Sequence, residues 1–164
     1  MIDSQKRKTE ISVRVMRPED SGGVVAVTGE SPEAAQWAPE MFRNEIPGER
    51  GWVAEECGEI VGFLVGRMLG EQAEILNLAV TAKARRKGIA TKLLVRASDE
   101  MTRAGAQSCF LEVRESNIVA KAFYTKMGFG AIGTRPRYYQ QPEEGALCME
   151  KKLTALTGQD YVPT

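Results

Sequence analysis

Ile11, Val13 and Val15 alternate with polar residues, the period-two pattern of a half-buried strand. Pro18-Glu19-Asp20 then puts a proline and two acids where a helix would begin, although Gly22-Gly23 weakens that helix. Ser31-Pro32-Glu33 repeats the signal before a second helix carrying Trp37, Met41, Phe42 and Ile46. From Gly51 the period changes. Trp52 to Glu55, Ile60 to Leu69 and Ala73 to Val80 predict three consecutive strands, the first two joined at Cys57-Gly58 as an antiparallel hairpin. A helix from about Gly88 to Arg103 follows, with Ile89, Leu93, Leu94, Ala97 and Met101 on one face and Gly105 at its end. Next come a strand, Ser108 to Arg114, and a helix capped by Ser116 or Asn117 and terminated by Gly128 after Met127. Two last strands, Phe129 to Arg137 and Ala146 to Leu153, flank a polar loop from Gln140 to Gly145. The order β-α-α-β-β-β-α-β-α-β-β predicts one mixed α/β domain over residues 10–153. A polar leader (1–9) and a polar tail (154–164) flank it, and no repeat or linker interrupts it.

Composition narrows what such a domain can do. With 164 residues, 43% hydrophobic and 27% charged, the chain can bury a core without a disulfide or a metal. Lys plus Arg and Asp plus Glu are both 22, so no cationic surplus favours nucleic acid. The chain has no histidine. That excludes a Ser-His-Asp triad, a Cys-His dyad and any His-ligated metal, and leaves acid–base work to Glu, Asp, Tyr, Lys or Cys. Cys57, Cys109 and Cys148 are scattered and form no CxxC pair, as expected of reduced thiols serving as small core residues. Met1 to Lys8 contains no apolar h-region, and no apolar run approaches a membrane span, so the expected location is cytoplasmic.

The segment that bears on chemistry most directly is Arg85-Arg86-Lys87-Gly88-Ile89-Ala90, between a predicted strand and a predicted helix. A helix start exposes unpaired backbone N–H groups and the positive end of the dipole. Gly88 allows close approach of a ligand, Ala90 is small, and three adjacent cations add charge. Such a turn suits a pyrophosphate with a further phosphate nearby, as in coenzyme A. A solvated basic turn is the alternative. A Walker A loop is excluded, because GxxxxGK[ST] does not occur.

Arg85-x-x-Gly88-x-Ala90 resembles the (Q/R)xxGx(G/A) signature of the GNAT acetyltransferases, and the element order resembles the GNAT fold over nearly the whole domain. Leu111-Glu112-Val113-Arg114-Glu115-Ser116-Asn117, then Ala122-Phe123-Tyr124 and Met127-Gly128-Phe129, is similar to the corresponding run of the RimI branch, whose members acetylate protein N-termini. Tyr138-Tyr139 and Trp37 with Phe42 resemble that branch too. The chain departs from it at Thr81-Ala82-Lys83-Ala84, where the family often has Asp-Pro-x-Tyr, and at Gly145-Ala146, where an Asp-Ala pair is usual.

The resemblance implies a central, mostly antiparallel mixed sheet of six to seven strands flanked by about four helices. It implies acetyl-CoA as cosubstrate, no metal, and contacts to the coenzyme from Leu78, Val80, Arg85, Arg86, Lys87, Gly88, Ile89, Ala90 and Asn117. It makes Glu112 the general base and Tyr124 the acid that protonates the departing thiolate, a task that a phenol near pKa ~10 can serve without a large shift. Tyr138, Tyr139 and Glu30 would border the acceptor. The acceptor would be a protein or peptide N-terminus, with no nucleic acid or membrane partner, and the enzyme a monomer or homodimer. A lysine or a small-molecule amine is the alternative acceptor. An acyl-CoA sensor without turnover is the reading from another class, and the presence of both Glu112 and Tyr124 argues against it.

Overall fold

The computed structural model describes residues 10–32 and 49–154. Seven strands form one sheet: β1 (Ile11–Val15), β2 (Glu49–Glu56), β3 (Glu59–Leu69), β4 (Gln72–Val80), β5 (Ser108–Arg114), β6 (Gly130–Gln140) and β7 (Glu143–Lys152). Their order is β1-β2-β3-β4-β5-β7-β6, antiparallel throughout except for β4 beside β5. Among the described residues three α-helices pack on the sheet: α1 (Ser21–Gly29), α2 (Ile89–Arg103) and α3 (Ile118–Lys126). The second helix expected after Ser31, with Trp37, Met41, Phe42 and Ile46, lies outside the described residues.

The sheet separates two cores because its strands alternate. On one face, Trp52, Leu64, Ile75, Leu111 and Val113 meet the apolar stripe of α2, made of Ile89, Leu93, Leu94, Ala97 and Met101, together with Tyr124 of α3. On the other, Val53, Phe63, Val65 and Ala79 meet Val24 and Val27 of α1. The stripe predicted for α2 is the stripe that is buried. Trp52 is fully enclosed, and its indole N–H donates to Glu100 Oε2 at 3.0 Å, so its polar group is satisfied from α2.

α1 forms in spite of its glycines. A 3-10 turn, Pro18–Asp20, leads into it, and Arg17 N–H donates to Asp20 Oδ2 at 2.7 Å to fix the entry. Gly23 is required by packing rather than by conformation: a Cβ there would lie 2.8 Å from Ile60 of β3. The hairpin of β6 and β7 differs from expectation. Gln140 to Gly145 is not a long loop, because Gln140 pairs with Glu143 and Tyr139 with Glu144, leaving a tight turn at Gln141-Pro142. Glu144 is polar yet belongs to a strand because Arg114 and the backbone of Ser116 hold its carboxylate, at 3.2 and 2.6 Å. Of the cysteines only Cys109 is buried; Cys148 is half-buried and Cys57 exposed, so the expectation of three core thiols holds for one.

Candidate active site

β4 and β5 run side by side from Gln72 opposite Ser108 to Ile75 opposite Leu111, and then separate. The cause lies on the β3 side. Val65 pairs with Asn77 but its neighbour Gly66 pairs with Ile75, which leaves Leu76 as an extra residue in β4. A bulge bends the strand that carries it. It also inverts the alternation: Ala73 and Ile75, and beyond the bulge Leu78 and Val80, lie on the α2–α3 face, whereas Leu76 and Ala79 lie on the α1 face. Past Ile75 only β3 pairs with β4, so the edge turned toward β5 is open. A cavity of about 460 Å³ fills the gap.

The cavity joins the two faces of the sheet. Leu78, Val113, Asn117, Ala120 and Tyr124 line it toward α3, and Glu112, Tyr138, Tyr139 and Pro32 line it elsewhere. Asn117 starts α3, since its Oδ1 accepts from Ala120 N–H at 3.1 Å. Gly128, at φ 94°, ends the helix, and Phe129 N–H donates to the Tyr124 carbonyl at 3.0 Å. Both ends of the short helix are therefore fixed, and Tyr124 with them. Its ring sits edge-on to Phe123 and Phe129, with centroids 5.1 and 5.6 Å away. Burial pushes its phenol above the usual tyrosine range, contrary to the expectation of an ordinary phenol. The group thus stays protonated at working pH.

Leu111 and Val113 point into the core, so Glu112 faces the opposite side, cross-strand from Cys148 of β7. Its side chain is only 13% exposed and is held by two groups of β6. Arg135 Nε lies 2.9 Å from Oε1, and the Tyr138 hydroxyl hydrogen-bonds to the carboxylate. That hydrogen bond, with some burial, pushes the Tyr138 phenol up to about 12. Arg114 is stacked on Tyr139, its guanidinium carbon 4.2 Å from the ring centroid, and pairs with Glu144. The tip of the β6–β7 hairpin is thereby clamped to the end of β5.

The basic turn lies just past β4. Arg85 is extended and donates from Nε to the Val80 carbonyl at 3.3 Å, tying the turn to the strand end. Arg86 and Gly88 both have left-handed backbones, at φ 65° and 74°; the glycine is used for conformation, since a Cβ there would meet nothing. No side chain caps α2, and its first helical hydrogen bond runs from Lys92 N–H to the Gly88 carbonyl at 3.0 Å. The N–H groups of Ile89, Ala90 and Thr91 lie ahead of it. An uncapped, curled helix start beside an open strand edge fits a phosphorylated carrier whose arm continues along β4. Of the three adjacent cations, Lys87 is already engaged, its ammonium pairing with Glu56 at 2.8 Å. Ile89 is a core residue, leaving only its backbone for a ligand.

Sequence-level candidates therefore divide by position. Glu112, Tyr124, Leu78, Asn117, Tyr138 and Tyr139 converge on one cavity, with the turn from Arg85 to Ala90 beside the end of β4. Glu30 is exposed and is not among the cavity's lining residues; its charge acts on Lys83, near the basic turn. Arg135 and Cys148, which flank Glu112, carry no sequence signal of their own, since only strand register brings them there.

Residues 22–129 match the model of the acetyltransferase (GNAT) family. The chain belongs to the GNAT acetyltransferase family. Its members use acetyl-CoA. Among curated GNAT relatives, the chain is 36% identical over 105 residues to an uncharacterized N-acetyltransferase of Methanocaldococcus jannaschii, covering 63% of this chain and 67% of that one. It is 31% identical over 108 residues to the [ribosomal protein bS18]-alanine N-acetyltransferase of Escherichia coli strain K12, covering 65% and 72%. The crystal structure of the Escherichia coli ribosomal-protein-S18-alanine N-acetyltransferase superposes with a TM-score of 0.77 at 24% identity, over 94% of this chain and all of the other. The fold is also that of the PaiA N-acetyltransferase of Thermoplasma acidophilum, solved in complex with coenzyme A (TM-score 0.71, 23% identity, covering 88% of this chain and 99% of that one).

Proposed function

We propose that this GNAT enzyme acetylates the α-amine of a protein N-terminus, with Glu112 as base and Tyr124 as acid. The observation that carries the chemistry is that one cavity, opened by the Leu76 bulge, is lined by both groups. The names of the relatives support the acceptor class, since the Escherichia coli enzyme acts on an N-terminal alanine.

Glu112 takes a proton from the acceptor's ammonium, directly or through a water, and frees the nitrogen lone pair to attack the thioester carbonyl. The carbon–sulfur bond then breaks. Tyr124 supplies its phenolic proton to the departing thiolate, and the nitrogen gives its second proton to solvent. The acetyl group ends on the acceptor nitrogen as an amide, with the proton held by Glu112 returning to the tyrosinate through water. The buried phenol is neutral at pH 7 and so carries the proton that it gives up. Arg85 and Arg86 and the free N–H groups of α2 hold the phosphates of the coenzyme, Leu78 and Val80 offer backbone to its arm, and Asn117 adds a polar contact. Tyr138 and Tyr139 border the acceptor.

Proton affinity favours an α-amine over a lysine. An α-amine near pKa ~8 is about a tenth neutral at pH 7, whereas a lysine near ~10.4 is neutral in only a few parts per ten thousand. The lysine would need about 3 kcal/mol more help to reach its reactive form. A single carboxylate base suffices for the first and is poorly matched to the second. Mass spectrometry of peptides incubated with acetyl-CoA tests this: free N-termini should be acetylated, and N-terminally blocked peptides carrying lysine should not. The reverse pattern refutes the acceptor class.

A further inference from the structure

β6 is irregular where it passes Glu112. Arg135 pairs with Ala146 and Tyr139 with Glu144, so Pro136, Arg137 and Tyr138 bulge out opposite the single residue Gly145. Arg137 at the crest is left-handed, at φ 53°. In a regular strand, residues three apart point to opposite faces. The bulge instead brings Arg135 and Tyr138 to one carboxylate, that of Glu112. The two groups differ in how firmly they are placed. Tyr138 is 46% exposed and packs edge-on against Tyr139, with ring centroids 5.0 Å apart, whereas the Arg135 side chain is 62% exposed and lies over the Tyr138 ring at 5.8 Å.

A carboxylate oxygen engaged by a guanidinium is not open to an incoming ammonium. An acceptor α-ammonium, itself a cation, must reach the same carboxylate. We propose that Arg135 is a displaceable counter-ion of Glu112: it holds the carboxylate while the acceptor site is empty and yields Oε1 to the incoming ammonium. Tyr138 stays on the carboxylate and keeps its orientation. Both groups sit on the bulged edge strand, and the more exposed of the two is the one that yields, freeing Oε1 for the acceptor. Other ionisable groups around that carboxylate are Tyr139 of β6, Cys148 of β7 and, among the cavity-lining residues, Tyr124 of α3, Glu74 of β4 and Arg114 of β5, the last paired with Glu144 at 3.2 Å. Glu74 is neutralised by Arg67 at 2.6 Å, which leaves Arg135 as the cation paired with Glu112 among the described residues.

The inference rests on the assignment of Glu112 as base, and the test separates the two. The Kd of a hexapeptide with a free N-terminal alanine is measured by calorimetry on the enzyme saturated with CoA, which permits binding without turnover. Arg135→Gln should bind the peptide roughly two- to fivefold more tightly, the range that competition from an exposed ion pair supports. Arg135→Lys, which restores a cation, should return the Kd toward wild type. In Glu112→Gln the Arg135→Gln change should have no further effect, since nothing remains to compete for. If Arg135→Gln leaves the Kd unchanged and lowers kcat, the guanidinium remains on the base during turnover and the displacement is refuted. If neither Kd nor kcat changes, the pair has no part in acceptor binding and the inference is equally refuted. Full activity of Glu112→Gln would overturn the base assignment itself, whatever Arg135 does.

Discussion

Glu112 and Tyr124 are placed by different means, and this decides how each should respond to substitution. Glu112 faces the cavity because Leu111 and Val113 occupy the core side of β5, so a change of its carboxylate to an amide leaves the strand intact. Glu112→Gln should lower kcat/KM for an N-terminal peptide at pH 7 by on the order of 100-fold, the usual worth of a positioned base. Wild-type rates would refute the assignment. Tyr124 is buried among Phe123 and Phe129, and its ring is structural as well as chemical. Removing only the hydroxyl, as Tyr124→Phe does, spares the packing. Single-turnover rates should fall by on the order of 100-fold while the coenzyme Kd stays within about twofold. Weaker coenzyme binding with an unchanged rate would mean that the hydroxyl serves as a ligand contact and not as the acid.

At the scale of elements, the proposed active site opens at one misfit between β3 and β4. Gly66 lies opposite Ile75 at the bulge, and a Cβ there would stand 2.9 Å from the Glu74 backbone carbonyl. Backbone cannot yield as a flexible side chain can, so Gly66→Ala should cost about 1–3 kcal/mol in urea unfolding. It should also raise the KM for acetyl-CoA, because β4 carries one bank of the cavity; an unaltered protein would show that the strands tolerate closer registration than the geometry allows. The start of α2 makes a second prediction. Replacing Arg85 and Arg86 together by Gln should weaken coenzyme binding and flatten its salt dependence, because each cation that meets a phosphate releases counterions. The same change should leave unfolding nearly untouched, as both side chains are exposed. Strands and helices with clear periodicity, β3 and α2 above all, were legible in the residues. The Leu76 bulge was not, because an extra residue within the largely apolar run Ile75–Val80 leaves no break in the pattern. Nor was the contact of Arg135 with Glu112, which needs the β5–β7–β6 register. The strand residues Glu143 and Glu144 looked like loop because they are polar, and the partner that makes Glu144 a strand residue is Arg114, far away in sequence.

Across the whole molecule the two faces of the sheet have separate supports, and the proposed reaction gives them separate tasks. The α2–α3 face carries the basic turn, Asn117 and Tyr124, and its helices are anchored by a large apolar core. The α1 face has a smaller one, and its first helix is tied down by charge as well. Arg14 of β1 donates to both oxygens of Asp20, at 2.8 and 2.9 Å, and also to Glu55 of β2, so one guanidinium links β1, β2 and the entry to α1. Asp20 is only 9% exposed, and hydrogen bonds from Arg14, opposed by burial, hold its carboxyl below the usual aspartate range. A folded-state pKa below the unfolded value of about 3.9 means that this contribution is complete above that pH. It is lost as pH falls through the folded value, when the proton that Asp20 accepts removes the charge Arg14 needs. Asp20→Asn should therefore destabilise the protein at pH 7 by about 1–3 kcal/mol, and the deficit should shrink as the pH of the unfolding experiment is lowered from 5 to below 3. A deficit of equal size at both ends of that range would assign the loss to packing and not to the ion pair. Pro32, just beyond α1, is one wall of the cavity, so the same variant should disturb acceptor KM before it disturbs coenzyme binding. An equal effect on both would mean that the two faces of the sheet are mechanically coupled through the Leu76 bulge.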